Sequence, residues 1–116
     1  MRRLLAAFLM FLPMMAAAHT LLDSAMPRVG SSGPSPAAIR LNFTESVESR
    51  FSTVTLTDMA GKRVDLPKPA PDPADAKALV MPLAAALAPG TYRVDWRVVS
   101  TDTHHTEGKF TFTVTP

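Results

Sequence analysis

Cysteine is absent from the 116-residue chain, so no disulfide can staple the fold and no thiolate is available as nucleophile or metal ligand. Stability must come from an apolar core, and any metal bound must be one that accepts nitrogen and oxygen. Aromatic residues are scarce, with one Trp and one Tyr. No transmembrane helix is expected: the longest unbroken apolar run, residues 4–12, falls well short of the ~20 residues needed to cross a hydrocarbon core. Charge of one sign is lacking too. All ten acidic residues and all but two of the twelve basic ones lie beyond Ala18, so residues 19–116 are formally neutral. A basic-protein reading, with nucleic acid or acidic lipid as partner, thereby loses its support. There is no internal repeat.

What is present begins with an export signal. Met1-Arg2-Arg3 is a short positive segment, residues 4–12 are apolar, and Pro13 followed by Ala16-Ala17-Ala18 supplies a helix break and a small-residue cleavage site. Cleavage is expected after Ala18, leaving residues 19–116 as one mature periplasmic domain. The arginine pair lacks the surroundings of a twin-arginine signal, so general secretion is expected. The signal also takes Met1, Met10, Met14 and Met15 with it, leaving only Met26, Met59 and Met81.

The remaining sequence alternates apolar and polar residues with period two, the pattern of half-buried strands. Ile39, Leu41 and Phe43 do so, as do Val54 and Leu56; then Tyr92, Val94, Trp96 and Val98; then Phe110, Phe112 and Val114. Weaker candidates at residues 20–25, 62–66 and 78–81 bring the count to about seven, as expected of an immunoglobulin-like sandwich. Trp96, Phe43, Phe110 and Phe112 are in phase with their aliphatic neighbours and read as core. Arg93, Asp95 and Arg97 fall on the opposite face, where cross-strand charge pairing is expected. Turn residues punctuate the strands at 27–36, at Ala60-Gly61 and at Pro89-Gly90. Residues 67–76, with four prolines, predict an exposed loop rather than a strand. Residues 83–88 are alanine-rich and suit at most one helical turn.

Only three histidines occur, at positions 19, 104 and 105. Cleavage after Ala18 would make His19 the first mature residue. A free α-amine, with a pKa of about 7.7–8.0, can give up its proton to a metal near neutral pH. That amine and the ring Nδ1 of the same residue can close a chelate, although a cleavage site may precede a histidine by coincidence. Asp102-Thr103-His104 places a carboxylate and an imidazole two residues apart, and on extended backbone both would face one ion while Thr103 points away. A bare D-x-H is common by chance. Joined to His19 it completes three nitrogens and one oxygen, a set suited to tetragonal Cu(II), though zinc can use the same groups.

These residues resemble the CopC-type copper-resistance proteins. The similarity runs over H-T-L-L-D-S-A-M-P-R-V-G (residues 19–30), I-R-L-N-F-T-E (39–45), L-A-P-G-T-Y-R-V-D-W-R-V-V-S-T-D-T-H (87–104) and G-K-F-T-F-T-V (108–114). The resemblance implies an all-β, immunoglobulin-like or cupredoxin-like Greek-key β-sandwich in the periplasm. It implies one Cu(II) per mature chain, held by the amine and imidazole of His19 with Asp102 and His104. It also implies a glutamate near the ion as a weak or outer-sphere ligand, which here is Glu45; the alternative for Glu45 is a solvent-facing carboxylate. Storage, tolerance or delivery to a CopD-like inner-membrane importer is the implied role, with the chain a monomer. Two positions depart from the pattern. Some relatives carry a methionine-rich loop for Cu(I), whereas residues 57–83 offer only Met59 and Met81, so no Cu(I) site is expected. His105 stands where several relatives have proline and is expected to be an exposed bystander, with assistance from the outer sphere as the alternative.

Two other function classes fit parts of this pattern. An N-terminal histidine with a second histidine also describes copper mono-oxygenases acting on polysaccharides, but the single Trp and Tyr are expected in the core, leaving no aromatic substrate face. An adhesion or assembly module without metal would ignore copper in titration. The expectation is a copper-binding protein and not an enzyme.

Overall fold

The computed structural model describes residues 20–116; the expected signal segment, residues 1–18, and His19 lie outside the described residues. Among the described residues there are nine strands: β1 (Leu22–Met26), β2 (Ser32–Gly33), β3 (Ala38–Phe43), β4 (Thr53–Asp58), β5 (Arg63–Val64), β6 (Ala70–Asp72), β7 (Asp75–Pro82), β8 (Gly90–Val99) and β9 (His105–Val114). They form a four-stranded sheet in the order β1-β3-β7-β6 and a five-stranded sheet in the order β2-β9-β8-β4-β5. Neighbours are antiparallel except β2, which lies parallel to β9. The expected all-β sandwich is present, and its additional strands are the short ones, β2 and β6.

Alternation builds the core. Ile39, Leu41 and Phe43 of β3, Leu79 and Met81 of β7, and Val54 and Leu56 of β4 are buried, and so are Tyr92, Val94, Trp96 and Val98 of β8 and Phe110, Phe112 and Val114 of β9. All join one cluster spanning both sheets. Phe43 meets Trp96 edge-on across the sandwich, with ring centroids 5.2 Å apart at 71°. Tyr92 stacks on Phe112 at 5.7 Å. Its hydroxyl donates to the Ala88 carbonyl at 2.6 Å, so the one polar atom of a buried ring is satisfied without leaving the core. On the outer face Arg97 pairs with its ladder partner Glu107 at 3.1 Å, the expected cross-strand pair, whereas Arg93 pairs along its own strand with Asp95 at 2.8 Å.

Gly108 faces inward opposite Trp96, and a Cβ there would lie 2.4 Å from the indole ring. The missing side chain is what lets the ring lie against the β9 backbone. Gly108→Ala should therefore force the indole aside and cost about 1–3 kcal/mol as overpacking. Denaturant unfolding measures this, and an unchanged midpoint would mean that the ring does not occupy that space.

Two local expectations are corrected. Within the proline-rich stretch 67–76, residues Ala70–Asp72 form strand β6, with Pro71 opposite Leu79. It is tolerated because β6 is an edge strand, where an imino nitrogen without a proton leaves no interior ladder bond broken. Residues 83–88 form no helical turn. Leu83 N–H donates to the Ala37 carbonyl at 2.9 Å and Leu87 N–H to Ser35 Oγ at 2.8 Å, so both donors are taken by distant chain while Leu87 is buried in the core.

Candidate metal centre

The start of the described chain is anchored to the end of β3. Thr44 N–H donates to the Leu21 carbonyl at 2.9 Å, and Leu21 N–H donates to Thr44 Oγ1 at 3.0 Å. Thr20 is wholly buried, and its hydroxyl donates to Glu45 Oε2 at 3.2 Å. Glu45 is thus half-buried and tied to the residue that follows His19, so it is not a free solvent-facing carboxylate.

The chain after Glu45 then runs beside the β8–β9 loop. Thr101 N–H donates to the Ser46 carbonyl at 3.0 Å, and Val47 forms an antiparallel bridge with Ser100. One short stretch, residues 44–47, therefore holds the entry of the chain on one side and the Asp102/His104 loop on the other.

Within that loop the D-x-H pair is arranged differently from the sequence-based expectation. Val99 pairs with His105, so residues 100–104 must reverse the chain and cannot stay extended. Thr103 N–H donates to the Ser100 carbonyl and Ser100 N–H to the His104 carbonyl, each at 2.9 Å, and Thr103 takes a left-handed φ of 72°. The turn still brings the two side chains together, with His104 Nδ1 3.2 Å from Asp102 Oδ2. A proton on Nδ1 is offered to that carboxylate, and Nε2 is then the nitrogen with a free lone pair.

Asp102 is held by a second partner that the sequence reading did not single out. Ser100, 1% exposed, donates its hydroxyl to Asp102 Oδ1, and the Ser100 hydroxyl oxygen accepts His104 N–H at 3.2 Å. The Ser100 hydroxyl first, and the His104 ring and N–H after it, hold the Asp102 carboxyl below the usual carboxylate range. A carboxyl lowered on folding contributes stability above its unfolded value, about 3.9, and gives it up as pH falls through the lower folded value. Thr20 was likewise missed. Ser100 had one sequence signal, its place two residues before Asp102; Thr20 had none beyond adjacency to His19.

His105 opens β9 with an exposed side chain. Among the described residues no group of three or more His, Asp or Glu side chains is gathered closely enough to hold a metal ion. Asp102 and His104 bring one carboxylate and one imidazole together at the loop. Met81 is fully buried in the core, and Met59, in the β4–β5 hairpin, is 70% exposed.

Comparison with known proteins places this sandwich and its loop. Residues 22–115 match the family model described as the CopC domain. Copper resistance protein C of Escherichia coli is 43% identical over 106 residues, covering 85% of this chain and 83% of that protein. Among solved structures, CopC from Methylosinus trichosporium OB3b superposes with a TM-score of 0.78 at 33% identity, over 84% of this chain and 95% of that one. PcoC, described as a methionine-rich copper resistance protein from Escherichia coli, superposes at 0.74 with 43% identity, over 84% and 99%. The chain belongs to the CopC family, a family of copper resistance proteins and not of enzymes.

Proposed function

We propose that this protein is a periplasmic copper-resistance protein that captures one Cu(II) ion. After cleavage behind Ala18, the amine and imidazole of His19 act with Asp102 and His104 as ligands, and Glu45 stands beside the ion. The observation that carries this reading is the shared stretch 44–47, which ties Thr20 to Glu45 on one side and bridges to Ser100 and Thr101 on the other. A residue preceding Thr20 enters next to that junction. Little chain ordering is then expected on binding, because Thr20, Glu45 and the loop of Asp102 and His104 are already held by these bonds.

The donor set favours Cu(II) over Cu(I). There is no cysteine, Met81 is enclosed in the core, and imidazole, amine and carboxylate suit a tetragonal cupric ion. Capture, not turnover, is the activity: the monomeric chain stores copper or passes it to a CopD-like inner-membrane importer or another periplasmic carrier. Acid should release the ion, because protons compete for the lone pairs that bind it.

Competition titration of the processed chain with Cu(II) tests this. Saturation at one ion per chain with a tetragonal EPR signal is expected. His104→Ala should weaken binding more than about 100-fold, since loss of an outer partner alone costs about 10–100-fold. Equal affinity of His104→Ala and the parent would remove the proposed site.

A further inference from the structure

The loop that carries Asp102 and His104 is exposed, their side chains being 52% and 62% accessible, yet the atom at its centre is shielded from water. That atom is the Ser100 hydroxyl oxygen, on a residue 1% exposed. It touches both candidate ligand residues, donating to Asp102 Oδ1 and accepting His104 N–H at 3.2 Å, with the His104 carbonyl 3.3 Å away. The serine backbone is itself immobilised, bridged to Val47 and bonded through both its N–H and its carbonyl inside the turn.

We propose that Ser100 is the positioning residue of the copper site: its buried hydroxyl fixes the rotamer of Asp102 and the start of His104, so that the two arrive at the ion already oriented. This rests on the reading of Asp102 and His104 as ligands. A surface aspartate on a turn samples several rotamers, and a metal that binds it must select one. With Oδ1 held by Ser100 and Oδ2 facing His104 Nδ1, the carboxylate plane is set, and the unused lone pairs point in fixed directions. The serine itself is enclosed, so its hydroxyl is held in place and not exchanged for solvent partners. The left-handed Thr103 between the two residues is part of the same device, since it folds the chain back so that one hydroxyl reaches both sides of the turn.

A double-mutant cycle on the processed chain tests this, with Cu(II) affinity read by chelator competition and ligand geometry by EPR. Ser100→Ala should weaken binding about 10–100-fold, the range for loss of an outer-shell partner, and shift or broaden the cupric EPR spectrum. In an Asp102→Ala background the same change should cost clearly less, because one of the two residues it acts through is gone and only the His104 N–H bond remains to be lost. Equal losses in both backgrounds would overturn the proposal and leave Ser100 a purely structural residue. Ser100→Thr and Ser100→Val provide a pair of equal shape that differs in the hydroxyl alone. The threonine form should bind more tightly than the valine form at matched thermal stability, and equal binding by the two would also overturn it. Asp102→Ala alone separates the two levels. If it leaves affinity unchanged, the ligand assignment fails; if it weakens binding while Ser100→Ala does not, only the positioning role fails.

Discussion

One additional residue placed before His19 of the processed chain will weaken Cu(II) binding by more than about a hundredfold and leave the fold intact. The extra residue converts the His19 amine into a peptide nitrogen, whose lone pair is drawn into the amide bond and is offered to a metal only after loss of the amide proton. The new terminal amine lies farther along the chain and cannot close the same ring with the His19 imidazole. If His19 chelates as proposed, the site then loses its two-point chelate on a single residue and keeps only separate donors from separate segments. The magnitude exceeds the about 10–100-fold typical of outer-shell changes because a direct donor is removed. Stability should not follow, since among the described residues Thr20 and Leu21 anchor the chain entry to Thr44 and Glu45. Competition titration against a chelator, with thermal unfolding of the metal-free protein alongside, checks both halves. Unchanged affinity would show that the amine is not a ligand. Intact mass of the exported protein provides a second check, since a first residue other than His19 would leave no such chelate to lose.

The strands that carry the site were legible because they are half-buried. Period two in β3, β4, β8 and β9 follows directly from one face meeting the core and the other meeting water, and Trp96, Phe43, Phe110 and Phe112 are buried where that phase put them. Strand β6 was not legible. Its Pro71 argues against any strand by local rules, and only its position at a sheet edge, a property of the whole fold, makes the proline harmless. The 83–88 stretch misled in the opposite way, since alanine content favours a helix that the Ala37 and Ser35 bonds pre-empt. The candidate site divides similarly. Asp102 and His104 were visible as a spacing, but the spacing was fitted to extended backbone. A ladder that closes at Val99 and His105 requires a turn instead, and the turn is what places Ser100 beneath the pair. Buried hydroxyls such as those of Ser100 and Thr20 leave no periodic trace, so their part emerges only from the fold.

Trp96→Ala is expected to have the largest effect on stability, about 3–5 kcal/mol, the cost of emptying a large buried aromatic site. The indole contacts Phe43 of the opposite sheet edge-on and fills the space left open by Gly108, so its loss opens a cavity at the seam of the sandwich that neither neighbour can fill. Domains of this kind have about 5–15 kcal/mol in total, and without cysteine no cross-link limits the unfolded chain, so the metal-free variant should melt far earlier and with reduced cooperativity. Trp96 lies on β8, the strand that leads into Ser100 and the Asp102/His104 turn. If that turn binds copper only when folded, the ion must repay part of the loss by mass action, about 4 kcal/mol at a free concentration a thousand times Kd. Thermal unfolding with and without Cu(II) should thus show a larger metal-induced rise in Tm for Trp96→Ala, carrying His19 at its start, than for the same variant extended by one residue. Equal rises would mean that copper binds the two chains alike and that the stabilisation does not pass through the His19 site.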